Sequence, residues 1–186
     1  MNHVIKYFLQ IIFIRVPKKK NRNGGQVIFI SYRAIIPLIN SSEKEQSMLI
    51  CKLIHPEIIG TLASCGHFSR ILIADGNFPV ATMSLTETKK VFLNLMPGIP
   101  TVTQVLEALV SAVIFQAAAV VAPPEDQFRT VHAEYRLLLP ADIQWEEKER
   151  WAFYNDVKSA DTALIIATGD TRRFANLLLT LGVRRF

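Results

Sequence analysis

The chain has 186 residues, half of them apolar and a fifth charged, with a formal net charge of +5. That composition suits one globular domain with a sizeable core and excludes an intrinsically disordered chain. The charge is lopsided: residues 1–47 carry eight Lys or Arg and two Glu, a net of +6, whereas residues 48–186 carry thirteen basic and fourteen acidic residues, a net of −1, and a near-neutral body argues against a nucleic-acid surface.

Met1–Ser47 differs from the rest. Tyr7–Val16 is apolar but interrupted by Gln10 and Arg15, and Lys18-Lys19-Lys20 stands where a signal peptide would show small residues. Asn21–Gly25 reads as a loop, and Val27–Asn40 is a second apolar stretch broken by Arg33 and Pro37. No apolar run approaches the ~20 residues that cross a bilayer. A surface anchor, a poor signal peptide and a translated upstream region compete as readings. The third is favoured, because Glu43-Lys44-Glu45 can be encoded by purine-only codons resembling a bacterial ribosome-binding site, with Met48 at suitable spacing. The expected domain is 48–186. Its two cysteines, Cys51 and Cys65, are too few for a disulfide scaffold and read as reduced thiols of a cytoplasmic protein.

His55-Pro56-Glu57 opens a helix, with proline suited to the first position and glutamate to the positive end of the dipole. Ile58, Ile59, Leu62 and Ala63 form its inward stripe, and Gly66 is expected to end it as a left-handed cap. Arg70–Ala74 reads as a buried parallel strand, followed by the loop Asp75-Gly76-Asn77-Phe78-Pro79. In open α/β sheets that edge is where ligands sit. Further strands are expected at 90–95, 115–121, 143–149 (an edge), 162–167 and 173–179. Helices are expected from Thr101 or Thr103 to about Ile114, over 125–138 and over 151–158. Strands alternating with helices imply an α/β fold, a single three-layer α/β/α domain with a mixed, mostly parallel sheet.

Four groups of residues carry candidate chemistry, each beside a plainer reading. His67 follows a helix, where it commonly binds the last carbonyls, or it is a proton-transfer group. Asp75 is a turn residue, or a carboxylate that orients His67 or binds sugar hydroxyls. The strand between the two makes direct contact within one chain doubtful. Arg150 and Tyr154 belong to a solvated charge run and an aromatic core face, or form a donor pair for sugar oxygens. In Arg172-Arg173-Phe174-Ala175-Asn176, Asn176 begins a strand or offers a donor and an acceptor to a polyol. The sequence has no glycine-rich phosphate loop and no Gly-x-Ser-x-Gly elbow, and its four histidines lack metal-ligand spacing.

With those residues in view, the body resembles the ribose pyranase/fucose mutarotase (RbsD/FucU) family from about Met48 to Val183. The resemblance is carried by Ile54-His55-Pro56-Glu57, Gly66-His67, Ile73–Pro79, Arg150-Trp151-Ala152-Phe153-Tyr154, Ala167-Thr168-Gly169-Asp170 and Asn176–Leu179 with Gly182-Val183. It implies a cytoplasmic isomerase that interconverts forms of a free monosaccharide, with no cofactor and no metal, and that assembles into rings, often decamers, with sites built between subunits. His67 matches the catalytic histidine. Asp75, Arg150, Tyr154, Phe174 and Asn176 fall at substrate-binding positions, and Arg150 with Phe153-Tyr154 looks fucose-type. The chain departs from the pattern at Phe174, where the family has a tyrosine, so a hydroxyl is lost. The alternative is a non-catalytic sugar-binding or ring-forming accessory protein of sugar uptake or catabolism.

Overall fold

The computed structural model describes residues 49–124 and 129–184. The leader reading of residues 1–47 and the start of the helix expected from Glu125 lie outside them. Six strands form one sheet. They are β1 (Arg70–Ala74), β2 (Lys89–Phe92), β3 (Phe115–Val121), β4 (Gln144–Lys148), β5 (Thr162–Ala167) and β6 (Leu177–Leu181), in the order β2-β5-β1-β6-β3-β4. The helices are α1 (Pro56–Ser64), α2 (Val102–Val110), α3 (Thr130–Leu138) and α4 (Arg150–Val157).

β5 lies parallel to both β1 and β2, and β4 lies parallel to β3. β6 runs antiparallel to both neighbours, with Ile73 opposite Leu177 on one side and Val120 opposite Leu177 on the other. The central strands are largely apolar, with Gln116 of β3 and Thr180 of β6 the polar interior positions, because both their faces are covered. Ile71, Ile73, Ala118, Val120, Leu164, Ile166, Leu177 and Leu179 face one core with Ile58, Leu62, Leu106, Leu109 and Tyr135 from α1–α3. Leu72, Ala74, Ala119, Val121, Ile165, Ala167 and Leu178 face the other with Phe153 and Val157 of α4 and with Phe78 and Val80. This two-residue alternation across a covered sheet gives the three-layer, mixed and mostly parallel α/β/α architecture expected of the sequence.

Local signals explain the helix starts. His55 caps α1, its ring accepting from the Ile58 N–H, and Pro56 takes the first turn. Thr101 rather than Thr103 caps α2, in a capping box with Gln104. Four expectations need correction. Gly66 is not a left-handed cap: α1 closes at Cys65, whose extended residue bonds back to Leu62, and the left-handed residue is Phe68, at φ 69°. Ala63 is exposed rather than part of the inward stripe. β2 ends at Phe92, because Leu93 and Leu95 turn inward on themselves through an N–H···O=C bond of 2.8 Å. The last strand begins at Leu177, not Arg173, because Phe174 takes φ 62° and breaks the extended run. Among the described residues no helix is long and apolar enough to cross a membrane.

Candidate functional site

Four chain segments converge at the carboxyl edge of the parallel strands. Asp75 follows β1, Val121 ends β3, Arg150 and Tyr154 lie on α4 just after β4, and Phe174 and Asn176 precede β6, which starts at this edge because it runs the other way. With Asn77 and Arg173 they line a cleft of about 410 Å³, within the ~300–1,000 Å³ range of small-molecule sites. Every residue expected to touch substrate (Asp75, Arg150, Tyr154, Phe174, Asn176) lines this one cleft.

Its floor is a reciprocal pair. The Asp75 N–H donates to Asn176 Oδ1 at 2.9 Å, and Asn176 Nδ2 donates to Asp75 Oδ2 at 2.8 Å. The Asn77 N–H donates to Asp75 Oδ1 at 2.9 Å. Asp75 is 5% exposed and Asn176 6%, so the pair is fixed and its amide orientation is set by the backbone donor. Burial pushes the Asp75 carboxyl above the usual carboxylate range. The nearby Asp170 charge adds to the rise, and backbone N–H groups of Asn77, Phe78 and Ala175 oppose it. Asn176 retains one amide hydrogen and one lone pair for a ligand.

The walls are aromatic and cationic. Arg150 and Tyr154 stand four residues apart on one face of α4. The Tyr154 ring meets Phe78 and Trp151 edge-on, with centroids 5.0 and 5.7 Å away, and burial raises the pKa of its hydroxyl. The Arg173 guanidinium lies 5.5 Å from the centroid of the Phe174 ring.

The loop bearing Phe174 and Asn176 is anchored just before them. Asp170, 1% exposed, accepts the Val102 N–H at the start of α2 and is gripped by Arg172 through Nε and Nη2. Arg172 also donates to Glu134 Oε2 at 2.7 Å and to Thr103 Oγ1 at 3.0 Å, so one guanidinium ties the loop to α2 and α3. That pairing holds the Asp170 carboxyl below the usual range in spite of its burial.

His67 stands elsewhere. It is exposed at the amino edge of the sheet, with Nε2 2.9 Å from Oε1 of Gln116 at the start of β3 and its ring against Phe68 at 3.9 Å. The five residues of β1, at roughly 3.3 Å each, separate it from Asp75. Within one chain Asp75 therefore does not orient His67: its carboxylate is engaged by Asn176 and Asn77. The last carbonyls of α1 do not engage the imidazole either. Sequence reasoning missed Asn77, Val121 and Arg173 as cleft residues. Asn77 had a signal, standing in the loop at the ligand edge, whereas Arg173 read as a flanking charge. Among the described residues no cluster of three or more His, Cys, Asp or Glu is placed to hold a metal.

The RbsD / FucU transport protein family matches residues 48–184. The human fucose mutarotase is 31% identical over 144 residues, covering 70% of this chain and 90% of that protein. D-ribose pyranase 2 of Streptomyces griseus is 25% identical over 134 residues, covering 70% and 95%. The structure of Bacillus subtilis RbsD complexed with D-ribose superposes with a TM-score of 0.62 at 21% identity, covering 72% of this chain and 96% of that one, which establishes the shared fold.

Proposed function

We propose a sugar-interconverting role from one premise: the chain belongs to the RbsD / FucU transport protein family. On this reading it is a monosaccharide mutarotase of the fucose type. The observation that carries the reading is the Asp75–Asn176 pair, fixed at the floor of a cleft whose walls supply a guanidinium, a phenol and an aromatic ring.

Mutarotation opens a cyclic hemiacetal and recloses it. One proton is delivered to the ring oxygen and one is removed from the anomeric hydroxyl, which breaks the ring C–O bond and forms the carbonyl. Reclosure on the other face of the carbonyl inverts the anomer, and reclosure by a different hydroxyl changes ring size. Protons are conserved over the cycle and no electrons leave the sugar. A single acid–base group among oriented donors and acceptors suffices, and such proton transfer is worth roughly 10²–10⁴-fold.

In this scheme His67 carries the proton. Asp75 accepts from sugar hydroxyls, Asn176 offers its remaining donor and acceptor, Arg150 binds a ring substituent, Tyr154 donates or relays, and Phe174 packs on an apolar sugar face. Because His67 stands at the far edge of its own sheet, the scheme needs the imidazole of a neighbouring copy. The ring assembly implied by the resemblance, with sites between subunits, meets that need and puts the protein in a self-associated particle, a decamer by that pattern.

Exchange NMR of the full chain with L-fucose, D-ribose and D-galactose tests the proposal. Accelerated anomer or ring-form exchange with at least one sugar is expected, fucose first. A protein that binds none of them and speeds none would overturn it. The second reading, a sugar-binding accessory protein without catalysis, draws support from Phe174, whose ring lacks a hydroxyl. Saturable binding with unaccelerated exchange would select it.

A further inference from the structure

The backbone at Phe174 is held in the left-handed region at φ 62°, which is an outlier for a bulky residue and persists only where its surroundings enforce it. Two buried side chains of α3 do so. His132 Nε2 lies 2.8 Å from the Phe174 carbonyl oxygen, and the Tyr135 hydroxyl donates to the Ala175 carbonyl oxygen at 2.8 Å. Facing a carbonyl, Nε2 must carry a hydrogen. His132 Nδ1 is buried with no polar partner, so the uncharged ring leaves only an unpaired acceptor there, whereas a charged one would bury an unpaired N–H donor. Glu147 of β4, Arg129 just before α3 and Arg136 on α3 act on the ring, with Trp145 and Tyr135 packed nearby.

The two carbonyls so fixed belong to consecutive residues, and the next residue is Asn176. We propose that His132 and Tyr135 are positioning residues: they hold the 174–175 turn in the conformation that sets the Phe174 ring as a cleft wall and delivers the Asn176 amide to Asp75. Neither side chain lines the cleft. Arg172 anchors the same loop from outside, whereas the α3 pair clamps the two residues where the chain reverses. The inference rests on the reading of the cleft as a sugar site.

The test compares the full chain with His132→Leu, His132→Gln and Tyr135→Phe. Glutamine can place an amide N–H near the position of Nε2, and phenylalanine keeps the Tyr135 ring while removing only its donor. Sugar exchange kinetics and the NMR signals of the Asn176 side-chain amide are read together. His132→Leu and Tyr135→Phe are expected to raise KM about tenfold with a smaller change in kcat, and to shift the Asn176 amide signals. His132→Gln is expected to recover most of both. Wild-type KM and unshifted Asn176 signals in the folded Tyr135→Phe protein would overturn the clamp, and so would a His132→Gln protein no better than His132→Leu. If the wild type neither binds nor interconverts sugars, the functional reading fails, and the Asn176 signals still decide the clamp.

Discussion

The two edges of the same sheet are built on opposite terms. At the carboxyl edge Asp75, Asn176 and Asp170 are buried and each bonded several times, and the loop from 168 to 176 is tied to α2 and α3. At the amino edge His67 and Phe68 are exposed, and the imidazole meets only its neighbour's ring and, by a hydrogen bond, Gln116. The first edge is a cleft whose polar groups are already fixed by hydrogen bonds. The second presents a reactive group with nothing around it to exclude water. A proton-transfer residue gains most in a desolvated, fixed site, so under the proposed mutarotase reading each edge is half of a site and the halves meet between copies.

The sharpest way to break that comparison is to remove the imidazole. His67→Ala is expected to lower sugar exchange by roughly 10²–10⁴-fold and to leave thermal unfolding nearly unchanged, since the side chain is exposed. Mixing His67→Ala with Arg150→Ala and allowing subunits to exchange is expected to restore part of the activity, because mixed particles regain sites with both residues. No recovery would mean that one chain owns the whole site. At the other edge, Asn176→Ala strips two buried groups of Asp75, its N–H and its carboxylate, of their partner. Urea denaturation is expected to show about 2–4 kcal/mol of lost stability, whereas Gln116→Ala at the amino edge should stay within about 0.5 kcal/mol.

A gentler probe uses pH. Burial holds the pKa of His132 below its ordinary 6.5, against the pull of the Phe174 carbonyl and Glu147. As pH falls, the unfolded chain takes up this proton before the folded one does. The His132 contribution is therefore complete above about pH 6.5 and declines as pH drops below it. Denaturation curves from pH 7.5 to 5 should record the decline, and His132→Gln should flatten it. A decline of equal size in the variant would assign the effect to other groups.

Much of the fold was legible because its signals are local. Phe115–Val121 and Thr162–Ala167 are short apolar runs closed by Pro or by Gly and Asp, and each forms a strand over the expected span. The five expected cleft residues were legible as a set only through the ordered motifs of the resemblance, since no periodicity links Asp75 to Asn176, 101 positions away. What stayed hidden is non-local. Arg173–Asn176 leads straight into an apolar run and reads as the start of its strand, yet it turns, because hydrogen bonds from His132 and Tyr135, 42 and 40 positions away in sequence, hold its carbonyls. Arg172 and Arg173 look alike in sequence, and only the fold sends one to Asp170 and Glu134 and the other to the cleft.

The placement of β6 has one more consequence. It lies between β1 and β3, which are joined only through it, although it comes last in order among the six described strands. During synthesis, β2-β5-β1 and β3-β4 can pair as two separate ribbons, but no seam joins them until the final strand has left the ribosome and slid between them. The nascent protein thus carries two open ribbon edges until β6 arrives, and Asn176 reaches Asp75 in the same step that closes the gap.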